Sequence, residues 1–353
     1  MKIAIDISPL QTGHKVRGTG FYLHYLKRSL EQHFPKNKYT FFNQGEKIPN
    51  EINIVHYPYF EPFFRTLPFI KKNKTIVTVH DLTPIIFPQH FPAGLRGNFS
   101  WQIQKYLLRQ VDAIITDSEN SKRDIARIVN YPKEKIHVAY LAAGEEFKKV
   151  HSSQFTVGSL RKKYNFPEKF ALYVGDVTWN KNLPRLVKAA QQAKIPLVMV
   201  GKALINKDID TSNPWNNDIV EVQQLIKKDT NIICPGFIST EELVLLYNTA
   251  TVFIMPSLYE GFGLPILEAM SCGCPVITTK EGSLPEVAGE AAYYVDAYSV
   301  ENISQGLQMI FRDTTLQKEL SEKGLKQTRK FSWKKTAEQT ISVYRKVYET
   351  KNN

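Results

Sequence analysis

PSLYEGFGLPILEAMSCGCPVI, residues 256–277, sets two glutamates, Glu260 and Glu268, on either side of Gly-Phe-Gly-Leu-Pro. Pro265 suits the first turn of a helix, so the stretch reads as a glycine loop opening a helix, with Glu268 in the first turn. Gly261 and Gly263 can bring bare backbone N–H groups to sugar hydroxyls or a phosphate. Glu268 can accept two hydrogen bonds from vicinal ribose hydroxyls. Glu260 can hold a sugar hydroxyl or offset positive charge developing at an anomeric carbon. A single glutamate at a helix start is explained by the helix dipole alone; two bracketing a glycine loop are not. The apolar run TVFIMPS (251–257) just before them reads as a strand, giving the strand–loop–helix unit of parallel α/β sheets.

The same alternation extends both ways along the chain. In the first half, strand candidates are 2–7, 39–43, 52–57, 75–81, 113–118 and 135–140, with helices at 21–34 and 118–130. In the second half they are 170–176, 196–201, 231–236, 251–257, 275–279 and 291–296, with helices at 183–193, 239–250 and 266–273. Ser239 and Glu242 form a capping-box pattern at the start of one of these. The polar stretch 150–168 lacks a strand and separates the two sets. After Trp333 comes a last amphipathic helix, with Trp333, Ala337, Ile341, Tyr344 and Tyr348 on one face, free to pack back on the first domain.

At 353 residues the chain suits two domains of roughly 150–200 residues, and 42% hydrophobic content supplies packed cores. The three cysteines, Cys234, Cys272 and Cys274, make no disulfide framework and point to a reducing compartment. MKIAIDISPL reads as a first strand, not a signal peptide, and no apolar run of about 18 residues is present. Residues 1–165 carry 25 Lys and Arg against 13 Asp and Glu, whereas 166–353 carry 21 of each. The whole excess of +12 therefore belongs to the first half, which suits an anionic partner or a solubilising surface.

Three further loops carry chemistry at strand ends. RGTGFY (17–22) opens a helix with Gly18 and Gly20, which suits either close approach to an anion or a plain loop. VHDLTP (79–84) ends a strand on His80, with Asp81 beside it to fix a tautomer; a histidine satisfied by backbone carbonyls fits equally. YVGDVTWNKNLPRL (173–186) brings Lys181 to a helix start, where charge and dipole together suit a diphosphate; a solvated lysine fits as well.

Taken together, these residues resemble glycosyltransferase family 4. The specific block is Glu260-Gly-Phe-Gly-Leu-Pro-Ile-Leu-Glu268, similar to the family's two-glutamate signature. Supporting it in the family's order are Gly18-x-Gly20-x-Tyr22, His80-Asp81-Leu82, Asp117-Ser118-x-x-Ser121, Gly175 with Lys181-Asn182, Gly201, and Phe331-Ser332-Trp333. The resemblance implies the α/β GT-B fold, two Rossmann-like domains facing across a cleft. They are expected at 1–165 for the acceptor and 166–333 for the nucleotide sugar, with helix 334–353 returning to the first. It implies a retaining, metal-independent transferase without a cofactor, which moves mannose or another hexose from a nucleotide diphosphate-sugar. The acceptor would be a glycan or lipid-linked chain of cell-surface polysaccharide or glycolipid.

Carried over by position, His80, Lys181 and Glu260 would be catalytic. Gly18, Gly20, Asn182, Gly201, Gly261, Phe262, Gly263, Leu264 and Glu268 would hold the donor, Glu268 through the ribose. One departure is Asp176, where many members carry an arginine that shares the diphosphate with lysine. A nucleotide-sugar epimerase of the same architecture is the enzymatic rival. A nucleic-acid binder is the other, but the basic residues are scattered without interleaved aromatics. Within the transferase reading, the basic first half suits a cytoplasmic protein resting on the anionic inner face of a membrane, with Lys71, Lys72 and Lys74 near Phe63, Phe64, Leu67 and Phe69.

Overall fold

Runs of β-branched residues buried on both faces need helices on each side, and parallel strands joined by helical crossovers satisfy this. The computed structural model describes residues 1–11, 18–150, 154–227 and 229–350. Two units emerge, Met1–Ala142 with Phe331–Asn353, and Ala143–Lys330.

The first unit holds strands β1 (Lys2–Asp6), β2 (Lys38–Phe42), β3 (Ile54–Tyr57), β4 (Lys74–Thr78), β5 (Ala113–Thr116) and β6 (Ile136–Val138). They form one parallel sheet in the order β2-β1-β3-β4-β5-β6. The second unit holds β7 (Ala171–Val174), β8 (Leu197–Val200), β9 (Ile232–Gly236), β10 (Val252–Met255), β11 (Val276–Thr278) and β12 (Tyr293–Tyr294). Its parallel order is β12-β11-β10-β7-β8-β9. Here the chain starts in the middle at β7, runs outward to β9, then returns to β10 on the other side. The neighbours β7 and β10 thus form the topological switch point, where crossovers leave in opposite directions and open a crevice at the strand ends.

The twelve strand candidates all lie on observed strands, and the helix at 183–193 is Leu183–Ala193. The capping box is closed: Ser239 accepts from Glu242 N–H, and the Glu242 carboxylate accepts from Ser239 N–H. The helix expected at 118–130 is α-helical only to Ile125, then widens into a π turn over Ala126–Asn130. The segment 143–165 goes with the second unit, because Val150 N–H donates to Asn248 (2.9 Å) and Tyr164 and Lys163 bond Glu242 (2.8 and 2.6 Å).

The terminal helix Trp333–Glu349 crosses back to the first unit. Trp333 stacks on Tyr25 at 5.0 Å, its carbonyl accepts from Ser29 (2.9 Å), and Thr336 donates to the Tyr140 carbonyl (2.6 Å). Deeper in, a buried hydrogen-bond chain runs from Tyr22 to Thr78 (3.0 Å), to His56 (2.8 Å) and to Tyr344 on that helix (2.7 Å). Burial, with a smaller push from His80, lowers the His56 pKa to about 3, so the ring is neutral at pH 7. Replacing Tyr344 by Phe would leave His56 Nδ1 without a partner. This should cost about 1–3 kcal/mol and lower the thermal transition in calorimetry; an unchanged transition would remove the bond from the account of stability.

Candidate active site

The loops after β7 and β10 emerge side by side at the switch point, and their side chains lock together. Lys181 Nζ donates to both oxygens of Glu260, at 2.7 and 2.9 Å, while Ser257 donates to the same carboxylate at 2.7 Å. Lys181 is 21% and Glu260 9% exposed, so the pair faces solvent only at its edge. Asn180 joins the two loops through backbone and side chain. Its carbonyl accepts from Leu258 N–H (2.7 Å), and its Nδ2 donates to the Tyr259 carbonyl (3.0 Å). One cation on one carboxylate gives the loop a compact dipole, and an arriving diphosphate would compete with Glu260 for Lys181.

Beyond Glu260 the glycine loop runs over the segment after β11. Gly282 packs so closely that a Cβ there would lie 2.6 Å from the Glu260 carbonyl oxygen, and its φ of +60° also favours glycine. Ser283 Oγ lies 3.0 Å from the Glu260 carbonyl and 2.9 Å from that of Phe262. Gly261 and Phe262 are buried in this loop. Gly263, at φ +99°, caps a helix that begins at Leu264. The helix starts one residue earlier than its proline suggests, so Glu268 stands in the second turn. There it is no dipole partner; Tyr247 donates to it at 3.0 Å from the neighbouring helix Thr240–Thr249. Burial, with a smaller contribution from Glu146 and against the Tyr247 hydroxyl, pushes the Glu268 carboxyl up to about 7.

Two other expected donor residues have structural tasks. Asn182 is 1% exposed at φ +60°, its Nδ2 donates to the Pro256 and Ala297 carbonyls (2.9 and 2.6 Å), and its Oδ1 accepts from Arg185 (2.8 Å). That side chain ties the loops after β7 and β10 from beneath. Gly201 follows β8, and a Cβ there would come 2.4 Å from the Gly175 carbonyl oxygen. Close approach of neighbouring strand ends is what demands glycine there.

In the first unit, Gly18 and Gly20 form the opening turn of the helix Gly18–His33; Gly20 is buried and Gly18 exposed. Residues 12–17, Arg17 among them, lie outside the described residues. His80 follows β4, with the Tyr22 ring edge-on at 4.8 Å. Asp81 does not orient the imidazole: its carboxylate accepts from Thr83 N–H at 2.8 Å, capping the next turn. The partner is Asp117, at the end of the adjacent strand β5, with Oδ2 2.7 Å from His80 Nδ1. Burial alone would lower the imidazole pKa, but the charge and hydrogen bond of Asp117 reverse that, and the ring titrates above its ordinary range.

The sequence reading missed Ser257, Ser283, Gly282 and Tyr247, which bond or pack on the stretches bearing the two glutamates, and the part of Asn180 in tying the loop ahead of Glu260. Of these, only Ser257 had a local signal, lying three residues before Glu260. Among the described residues no group of three His, Cys, Asp or Glu side chains could hold a metal, and Cys272 and Cys274 are buried free thiols.

The basic patch drawn from sequence is also rearranged. Lys74 donates to the Val347 and Thr350 carbonyls at the end of the terminal helix. The Lys71 amine is buried, and Leu67 is 1% exposed in the core.

Family models match both halves of the chain: "Glycosyltransferase Family 4" over residues 11–142 and "Glycosyl transferases group 1" over residues 158–327. O-antigen chain mannosyltransferase B of Escherichia coli is 31% identical over 282 residues, covering 77% of this chain and 70% of the relative. The serotype-specific mannosyltransferase WbdA of Escherichia coli is 26% identical over 287 residues, but the aligned part of this chain spans only 34% of its length. Among solved structures, HepE of Anabaena in complex with UDP and glucose superposes with a TM-score of 0.74 at 17% identity, over 98% of this chain and 100% of that one. Two parallel six-stranded sheets, the paired glutamates around their glycine loop and these relatives agree: the chain belongs to glycosyltransferase family 4 and is a glycosyltransferase of the GT-B fold.

Proposed function

We propose that the protein transfers mannose or another hexose from a nucleotide diphosphate-sugar, with retention of anomeric configuration, to a glycan or lipid-linked acceptor in surface-polysaccharide synthesis. The observation that carries this reading is the Lys181–Glu260 pair at the switch point of β7 and β10, beside the Gly263-capped helix that bears Glu268. The names of the mannosyltransferase relatives and the UDP and glucose of the HepE complex support the donor class.

In this reading Glu268 receives the ribose, and Lys181 with nearby helix N-termini takes up charge on the departing diphosphate. The bond from the anomeric carbon to the phosphate oxygen breaks as the bond to the acceptor oxygen forms on the same face. The acceptor's proton passes to an oxygen of the leaving diphosphate. Glu260 offsets the charge on the sugar ring, and His80 serves the transferred sugar. No metal takes part.

The acceptor reading includes a membrane. The helix Gly94–Leu108 buries Trp101, Leu107 and Leu108 but also turns Leu95, Phe99 and Tyr106 outward, exposed by 90, 70 and 62%. On the opposite, buried side of this helix Gln104 clasps the segment before it through the Glu61 and Phe64 carbonyls, and Phe64, Phe69 and Ile70 of the preceding segment are exposed as well. Arg96 and Lys105 border the stripe on the helix itself, and from 62 to 111 the only acidic residue in the sequence is Asp81. An apolar stripe with a basic border suits shallow insertion into an anionic bilayer, each basic residue adding about 1 kcal/mol. We infer that the protein works at the inner face of the membrane through this surface.

Three outcomes follow. Product NMR should show the donor's anomeric configuration, with turnover unaffected by EDTA; an inverted product or loss in chelator sinks the mechanism. Because ribose hydroxyls favour the ionised carboxylate, donor affinity measured by calorimetry with GDP-mannose should fall as pH drops below about 7, approaching tenfold per unit. Glu268→Gln should flatten that dependence, and an unchanged slope removes the ribose role. Finally, the protein should sediment with vesicles containing anionic lipid, and Leu95→Ser with Phe99→Ser should abolish this; equal binding by the double variant discards the surface.

A further inference from the structure

In the first unit two buried polar atoms on a single pair of side chains make no hydrogen bond of good geometry, His80 Nε2 and Asp117 Oδ1, although the Pro58 carbonyl lies near enough to the His80 ring to help raise its pKa. The other atoms of the pair, His80 Nδ1 and Asp117 Oδ2, are bonded to each other at 2.7 Å. Asp117 is 3% exposed and the His80 side chain 20%, so the imidazole stands between the carboxylate and solvent. A polar atom left unpaired at such a place is costly unless a ligand meets it.

Asp117 is held from both sides. It follows the last residue of β5, next to β4, and precedes Ser118, whose hydroxyl accepts from Ser121 N–H (3.0 Å) at the N-cap of the helix Glu119–Ile125. The Asp117-Ser118 pair thereby gains a physical sense: the Ser118 hydroxyl fixes the turn that places the carboxylate at His80. Tyr22, edge-on at 4.8 Å, limits rotation of the ring from the side of the first helix.

We propose that Asp117 is a positioning residue for sugar transfer: it holds the proton on His80 Nδ1 and so presents Nε2 as the atom that meets the transferred sugar. This rests on the reading of His80 above. With Nδ1–H donating to the carboxylate, a neutral ring offers Nε2 as acceptor to a sugar hydroxyl, and a protonated ring offers an N–H to an oxygen carrying negative charge. Asp81, next in sequence, bonds Thr83 N–H instead, and His80 Nδ1 is taken by Asp117.

The test uses the full chain labelled with 15N-histidine, together with GDP-mannose turnover. In wild type the His80 ring should show a protonated Nδ1, and Asp117→Asn should redistribute the proton between the two nitrogens. A retained buried, neutral His56 signal reports an intact first unit. Asp117→Asn should lower kcat roughly ten- to hundredfold with little change in KM for the donor. Combined with His80→Ala it should add nothing to the loss from His80→Ala alone. An unmoved His80 spectrum, or losses that multiply in the double variant, overturns the positioning role while leaving His80 in place. If His80→Ala turns over GDP-mannose like wild type, the reading of His80 falls, and this proposal with it.

Discussion

One ion pair organises the second unit: Lys181 on Glu260 joins two loops that are distant in sequence and neighbours only because β7 and β10 pair. The fold makes that meeting unavoidable. A parallel sheet entered at its middle builds first one edge and then the other, and the loops beyond the two central strands lie side by side where the direction changes. Asn180 and Asn182 then stitch those loops from beside and below, and Ser257 completes the carboxylate's shell. Much of the remaining site follows as support. Gly282 lets the next segment lie flat against Glu260, and Gly201 lets the β8 end lie against Gly175.

How much of this was readable in the residues depends on the range of each interaction. Strands were legible because burial on both faces writes a local apolar run, as at Phe253–Ile254 or Val198–Met199. The glycine loop was legible because strained backbone is local too; Gly263 at φ +99° needs no distant partner to be recognised. Partners that arrive from another strand left no mark. Asp117 reaches His80 across 37 positions, Tyr247 reaches Glu268 across 21, and Lys74 reaches the terminal helix across more than 270. In two cases the nearest charged neighbour in sequence stood in for the true one. Asp81 was credited with what Asp117 does, and Lys74 was placed on a surface when its amine caps a helix end.

Asn182 shows how a motif residue can also have a structural task. Its place beside Lys181 suggested a ligand contact, yet at 1% exposure its amide protons and oxygen bond within the protein. A motif marks where a side chain is needed; burial and partners decide whether it touches substrate or holds what does.

The first unit is discontinuous, and this has a consequence for biosynthesis. Its sheet and first helix are made early, but the helix that covers them comes from Trp333–Glu349, after the whole second unit has been translated. Until then His56 has no Tyr344 and Ser29 has no Trp333 carbonyl. The second unit, contiguous over Ala143–Lys330, can close first. On the ribosome the second unit is therefore expected to mature first, with the N-terminal unit kept open, apolar surface showing, until the helix Trp333–Glu349 emerges.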